Sequence, residues 1–313
     1  MELNAVKTGT VVRHTGSHYM VSALPEWNLV LCTLRGKLRL KESGITNPVA
    51  VGDRVEYMPE REGTGIIVNV LPRKNYIIRK STNLSRQSHI LAANIDYVFL
   101  IVTMAFPKVK AEFIDRFLIT CEAYSIPARI VINKSDIYGE VELSEVERFK
   151  NIYAKSAGYP ILEVSALTGE GVEVLREACD GAVSLFAGVS GVGKSSLINA
   201  LDPHLELRTG EISEYHKQGK HTTTSYDIYP LSSGGFIVDM PGIKGFGLIE
   251  MDKDELSHYF PEMLRLLDGC RFAPCTHTHE PECAVKEGIE TGLVSEERYA
   301  SYLSMLEDEG KYR

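Results

Sequence analysis

The stretch Val183 to Leu201, VSLFAGVSGVGKSSLINAL, constrains this chain more than any other. Gly188 to Ser195 fits the pattern G-x-x-x-x-G-K-[ST], with an apolar strand-like run before it and an amphipathic helical run after it. Gly188, Gly191 and Gly193 free the backbone to curl successive N–H groups around phosphate oxygens at the positive end of the next helix. Lys194 supplies a point charge for the β- and γ-phosphates, and the Ser195 hydroxyl is a ligand for Mg²⁺. Gly188, Val189, Ser190, Gly191, Val192, Gly193, Lys194, Ser195 and Ser196 are therefore read as the nucleotide-phosphate cradle.

At 313 residues the chain has room for two or three domains with real cores. No apolar run approaches the ~18 residues of a membrane span, and the opening MELNAVKTG lacks the regions of a signal peptide. The expectation is a cytoplasmic protein without a membrane partner. The net charge of −8 hides an asymmetry: residues 1–90 carry 13 Lys and Arg against 7 Asp and Glu, whereas residues 249–313 carry 7 against 15. A basic front section on an acidic protein still suits a phosphate-bearing partner.

Residues 1–72 read as a small all-β unit. GTVVRH, HYMVSA, NLVLCTL, KLRL, DRVEYM and GIIVNVL are separated by Gly, Pro and Asp signals at the spacing of an OB-type barrel. Arg35, Lys37, Arg39 and Lys41 alternate with apolar residues and so share one face, a candidate RNA contact. Residues 73–90, RKNYIIRKSTNLSRQSHI, hold no acidic residue and read as a basic linker facing phosphate. From 91 to 247 strands and helices alternate, which predicts an α/β domain with a mostly parallel sheet whose ligand gathers at the strand carboxyl ends. Within it LSEVERFKNIYAKSA reads as a helix capped by Ser144 with Glu147 three residues on.

Three further loops carry chemistry. Asn133, Lys134, Ser135 and Asp136 close an apolar strand, where a carboxylate accepts the N1–H and 2-amino protons of guanine and so selects GTP over ATP. Ser165 and Ala166 end another strand and place a backbone N–H for the guanine oxygen. Asp239 ends a third, where it holds Mg²⁺ through water while the Gly242 N–H reaches the γ-phosphate. Upstream, GKHTTT supplies hydroxyls for Mg²⁺; Thr222, Thr223 and Thr224 are all candidates on spacing, and Thr223 is carried forward.

Residues 248–313 read as a mainly helical module around Cys270-x4-Cys275-x-His277-x5-Cys283. Three thiolates and an imidazole suit a closed, structural Zn²⁺ site, with His279 an alternative to His277 on spacing alone. The last helix presents Tyr299, Tyr302, Leu303 and Leu306 on one face for packing against it.

The order of these loops is unusual. Asn133–Asp136 and Ser165–Ala166 precede the phosphate loop, and the threonines and the Asp239–Gly242 loop follow it, a circular permutation of the common GTPase order. With the barrel before and the cysteines after, and with VGDRV, VLPRKN, GVSGVGKSSLIN, GKHTTT, DMPGIKGFG and CRFAPCTHTHEPECAV, the chain resembles the ribosome small-subunit-dependent GTPase A family (RsgA, also YjeQ or YloQ). The resemblance implies a monomeric GTPase that docks on the small ribosomal subunit and its rRNA late in maturation and hydrolyses GTP to GDP faster there; the permuted order adds the expectation that GTP favours docking and hydrolysis releases it. It also selects His277 as the fourth zinc ligand. Ile243 stands where many GTPases carry a water-orienting glutamine. The resemblance gives that task to His221. The competing reading is a nucleotide-gated RNA-binding protein in which hydrolysis is incidental. Because the Asp239–Gly242 loop leads straight into the cysteine module, closure on γ-phosphate is expected to shift that module.

Overall fold

The computed structural model describes residues 5–36, 47–61, 63–80, 88–205, 227–239 and 253–307, without the side chains of Arg79, Lys80, Ser88, His89, Asp239 and Lys253. Lys37, Arg39, Lys41 and Arg86, and the expected strand KLRL, lie outside the described residues. Among the described residues no helix is long and apolar enough to cross a membrane.

Five strands, β1 (Lys7–Thr15), β2 (His18–Ser22), β3 (Val30–Leu34), β4 (Arg54–Pro59) and β5 (Thr64–Val70), pair in the order β1-β2-β3-β5-β4 and close through β4 on β1. This is the expected small barrel. Alternation of the side chains sends Tyr19, Val21, Cys32, Val55 and Ile67 inward to one core. β1 departs from simple alternation. Its register shifts between Val11 and Arg13, so both Val11 and Val12 are buried, the first in the barrel core and the second in the core of the next domain.

The stretch 73–90 is more than a linker. β6 (Tyr76–Lys80) and β7 (Ser88–Ala93) pair as a two-stranded antiparallel sheet, tied to the barrel by a bridge between Val51 and Ala92. Arg73 clamps the fully buried Asp53 with two bonds, Nε at 2.6 Å and Nη2 at 2.8 Å, and Lys74 pairs with Asp96. Two of its basic side chains thus serve internal carboxylates, because their partners lie about twenty residues away in sequence where a local count of charge does not see them.

The central sheet runs β10-β9-β8-β11-β13-β12. β8 (Tyr97–Val102), β9 (Ala128–Ile132), β10 (Ile161–Glu163), β11 (Val183–Ala187) and β13 (Phe236–Asp239) are parallel, and β12 (Asp227–Pro230) is antiparallel at its edge. Val98 to Val102 are all buried, as a strand covered on both faces requires. The helices are α1 (Ala111–Ala123), α2 (Glu140–Lys150), α3 (Val172–Cys179) and α4 (Lys194–Leu201). α2 corrects the expected capping: Ser144 sits inside the helix, and Gly139 is the cap, its N–H donating to Glu142 at 3.0 Å. The helix starts one turn early because Glu142, and not Glu147, reaches back to the cap. β12 also pairs with β1 at Arg13 and Asp227, so barrel and central sheet are continuous.

The last module packs α5 (Pro261–Leu264), α6 (Ala284–Glu290) and α7 (Glu296–Glu307) with single helical turns against Ile119 of α1. A buried ionic cluster fastens it there. Arg298, with no exposed surface, donates to Glu262 at 2.6 and 3.1 Å and to Asp115 of α1 at 2.9 Å. Tyr153 donates to Asp115 at 2.9 Å, and Ser301 binds its other oxygen. Removing one member of such a cluster strands the rest without water. Arg298→Ala is expected to lower unfolding free energy by about 3–5 kcal/mol, read from the urea midpoint; a loss under about 1 kcal/mol would show that the cluster is not structural.

Candidate nucleotide site and metal centre

The phosphate loop lies between β11 and α4. Gly188, Gly191 and Gly193 have φ of 151°, 87° and 91°, so the backbone takes the shape that the sequence pattern requires. At Gly193 space matters as well: a Cβ there would sit 2.5 Å from Asn133 Nδ2. Lys194 opens α4 with its ammonium over the loop, 2.7 and 2.9 Å from the carbonyl oxygens of Gly188 and Val189. Burial lowers its pKa, and a phosphate oxygen offers that charge a better partner than two carbonyls.

Asn133 joins the loops. It is 1% exposed, donates from Nδ2 to the Val192 carbonyl of the phosphate loop at 2.8 Å, and accepts from the Ala166 N–H at 3.1 Å. Its amide is therefore spent on placing loops, which makes it a positioning residue more than a contact to the base. Lys134 adopts a left-handed backbone with φ of 68°, and its ammonium donates to the Phe106 carbonyl. Asp136 is exposed, with one carboxylate oxygen 2.5 Å from the buried Ser165 hydroxyl. That hydroxyl also accepts from Leu167 and Thr168 N–H at 3.2 and 3.1 Å, so Ser165 aims Asp136 and shapes the Ala166 turn together. The Ser135 N–H donates to Val164 at 3.2 Å and keeps this loop against the same strand end.

Two contributors had no signal in the sequence. Tyr138 donates to the Asn133 carbonyl at 2.5 Å and accepts from the Met104 N–H at 3.0 Å, bracing the end of β9 against the end of β8. The loop after β8 brings Pro107 against Gly191, where a Cβ would lie 3.4 Å from the proline ring. Asp239 ends β13 in parallel register with β11, on the same edge of the sheet as the phosphate loop. His221, Thr222, Thr223, Thr224 and Gly242 lie outside the described residues.

The second site is far along the chain. The ligand atoms of Cys270, Cys275, His277 and Cys283 all lie within 4.8 Å of one another. Cys270 and Cys275 sulfurs are each 3.9 Å from that of Cys283, and His277 Nδ1 is 3.3 Å from Cys283 and 3.7 Å from Cys270. Four thiolate-sized ligands about a tetrahedral Zn²⁺ at ~2.3 Å stand ~3.8 Å apart, so the donor set fits. His279 is exposed beside Thr278 and stands outside the cluster. The loop is held from outside: Tyr299 donates to the His277 carbonyl at 2.6 Å, and Tyr302 to that of Thr276 at 2.8 Å. Glu280 accepts from Thr276 and Thr278, and those bonds hold its carboxyl down at about 2. Burial and the neighbouring thiols push Cys275 up to about 12, so its proton leaves at neutral pH only when a cation takes its place.

Comparison with known proteins bears on both sites. A family model described as RsgA GTPase matches residues 70–249, and one described as RsgA N-terminal domain matches residues 8–67. The chain is 52% identical over 307 residues to the Small ribosomal subunit biogenesis GTPase RsgA of Bacteroides fragilis, covering 97% of this chain and 98% of that one. It is 50% identical over 310 residues to the protein of that name from Porphyromonas gingivalis, covering 97% and 98%. Among solved structures it is similar to YjeQ from Thermotoga maritima, at 39% identity and a TM-score of 0.80 over 96% of this chain and 98% of that. It is also similar to YloQ, described as a circularly permuted GTPase, at 25% identity and a TM-score of 0.76 over 97% and 95%.

The metal centre makes a direct forecast. The purified protein is expected to carry one zinc per chain, and Cys283→Ser to lose most of it. Elemental analysis reads both. Adding Zn²⁺ to chelated protein should release protons into a weak buffer with indicator dye; binding without proton release would contradict thiol ligation.

Proposed function

The chain belongs to the RsgA GTPase family, and on that premise we propose that its hydrolysis of GTP is switched on by docking on the small ribosomal subunit during late maturation. The family identifies the protein as a GTP hydrolase. The observation that best supports the detailed reading is the Asn133 carboxamide, which binds the guanine-reading loop, the Ala166 turn and the phosphate loop into one mouth.

In this reading Asp136, aimed by Ser165, accepts the N1–H and 2-amino protons of guanine, and the Ala166 N–H, given to Asn133 before the base enters, turns from it to the guanine oxygen. Adenine presents neither of those donors, and so is rejected. The phosphate-loop amides and Lys194 take the β- and γ-phosphates. Mg²⁺, when bound, neutralises developing charge on the phosphates; Ser195, Thr223 and Asp239 would hold it. The Gly242 N–H meets the γ-phosphate. Ile243 cannot orient water, so the imidazole of His221 takes that role once the subunit brings its loop over the phosphates. The barrel and the remaining basic residues of 73–90, Arg79, Lys80 and Arg86, contact rRNA, the zinc module steadies the other side, and conversion to GDP releases a monomeric, cytoplasmic protein.

His221 decides the matter. With purified small subunits, His221→Ala is expected to lose about 10²–10⁴-fold in stimulated turnover while GTP and GDP affinities stay within about threefold. Undiminished stimulation would reject the role of His221. Absence of stimulation in the unaltered protein would reject the subunit as activator.

A further inference from the structure

Among the described residues the two most exposed large apolar side chains both belong to loops of the nucleotide mouth: Leu167 is 84% exposed and Phe106 81%. Leu167 follows Ala166 on the turn that Ser165 shapes. Phe106 lies in the loop after β8, and that loop touches both halves of the mouth. Its carbonyl accepts from the Lys134 ammonium at 2.5 Å, so the lysine stem spans from the guanine-reading loop to Phe106. The same stem passes close to the phosphate loop, since a Cβ on Gly193 would lie 4.0 Å from Lys134 Cε. The next residue, Pro107, meets the phosphate loop directly: a Cβ on Gly191 would lie 3.4 Å from its ring. The Pro107 carbonyl in turn accepts from the buried Thr103 hydroxyl at 2.5 Å.

A phenyl ring left in water forgoes the gain of burial, and Phe106 bears a second cost. Its φ is 45°, in the left-handed region that bulky side chains avoid. Strained backbone of this kind persists where the surroundings hold it, and here the bonds from Lys134 and Thr103 hold it from both sides. A purine presents the converse problem. Asp136 and the Ala166 N–H read its edge in the reading above, on which this inference rests, and edge bonds leave both apolar faces of the base to be covered. A flat ring fixed between the guanine-reading loop and the phosphate loop suits one of those faces.

We propose that Phe106 is a nucleotide-binding residue whose ring covers a face of the guanine base, so that the loop after β8 forms a further wall of the pocket beside the phosphate, Asn133–Asp136 and Ser165–Ala166 loops. Its contribution is to affinity and not to selectivity, because every base has a face to stack on and only the edges differ. The choice of guanine stays with Asp136. GDP and GTP carry the same base, so Phe106 strengthens both complexes alike and leaves the balance between them to the phosphate contacts.

The test uses the full chain without ribosomes and measures Kd for GDP, a non-hydrolysable GTP analogue, inosine diphosphate and pyrophosphate by competition against labelled GDP. Phe106→Ala is expected to raise Kd for both guanine nucleotides about 5- to 100-fold, the loss of one base-stacking ring, while pyrophosphate stays within about twofold. Inosine diphosphate lacks the 2-amino group that Asp136 reads, and the ratio of its affinity to that of GDP should not change in Phe106→Ala. Phe106→Tyr keeps the ring and should bind GDP within about threefold of the unaltered protein. Normal GDP affinity in Phe106→Ala overturns the proposal, and if small-subunit-stimulated turnover is lost at the same time the exposed ring belongs to RNA contact instead. Equal weakening of GDP and pyrophosphate also overturns it, since that marks a displaced phosphate loop. Asp136→Ala separates the two levels. If it leaves GDP affinity and the ratio to inosine diphosphate intact, the guanine reading and this inference fail together; if it loses both while Phe106→Ala binds GDP normally, this inference alone fails.

Discussion

The carboxamide of Asn133 is the contact on which the nucleotide pocket depends. Its two ends hold groups 59 and 33 residues away, and no water reaches it to replace either bond. A buried amide left unpaired costs about 1–3 kcal/mol, so the three loops have a strong reason to stay together before any nucleotide arrives. That preorganisation also explains how the permuted order is tolerated. In a parallel sheet the loops at the carboxyl ends meet according to the order of strands in space, and β9, β8 and β11 are neighbours whichever of them the chain visits first. Asn133 and Tyr138 then fasten the neighbours across the strand ends.

A different kind of bond holds the other half of the molecule. Burying an arginine with two carboxylates gains little over well-packed apolar side chains, since desolvation consumes most of the attraction. What the cluster of Arg298, Glu262 and Asp115 supplies is a single allowed seating. Two bonds to Glu262 fix the guanidinium plane, a third fixes its distance from α1, and Phe260 lies 4.9 Å beneath it. Sliding the module along α1 would leave charge without a partner, whereas an apolar contact would slide with little penalty.

Much of the pocket was legible because its chemistry is local. A phosphate loop needs glycines and a lysine at fixed spacing in eight residues, the guanine loop needs four, and the cysteine cluster fourteen, so each leaves a short signature. The barrel strands were legible through alternation. Long-range pairing was not: Asp115 and Arg298 are 183 residues apart, and in sequence Asp115 is one of several polar positions on an amphipathic helix. Arg73 looked available for phosphate because its true partner, Asp53, lies in a different strand of the pattern. Ser144 offered a good cap, yet Glu142 bonding to Gly139 offered a longer helix with the same satisfaction of its first N–H group. In each case the sequence displays a group's capacity, and the partner that uses it is chosen by the fold.

These attachments bear on how nucleotide state reaches the outer domains. The cysteine module was expected to shift as the Asp239–Gly242 loop closes on γ-phosphate. Parting it from α1 would uncover Arg298 and its carboxylates, at a cost comparable to about 3–5 kcal/mol for a broken buried pair, whereas coupling energies between sites usually amount to about 1–3 kcal/mol. The module therefore travels with α1, and any shift it makes carries that helix along. The barrel is joined by more numerous contacts: the register pair of β1 with β12, the bridge between Val51 and Ala92, the buried Arg73–Asp53 pair, Val12 in the central core and the stacked Trp27. β12 and β13 border in sequence the two loops proposed to sense the nucleotide, β12 beginning three residues after Thr224 and β13 ending at Asp239.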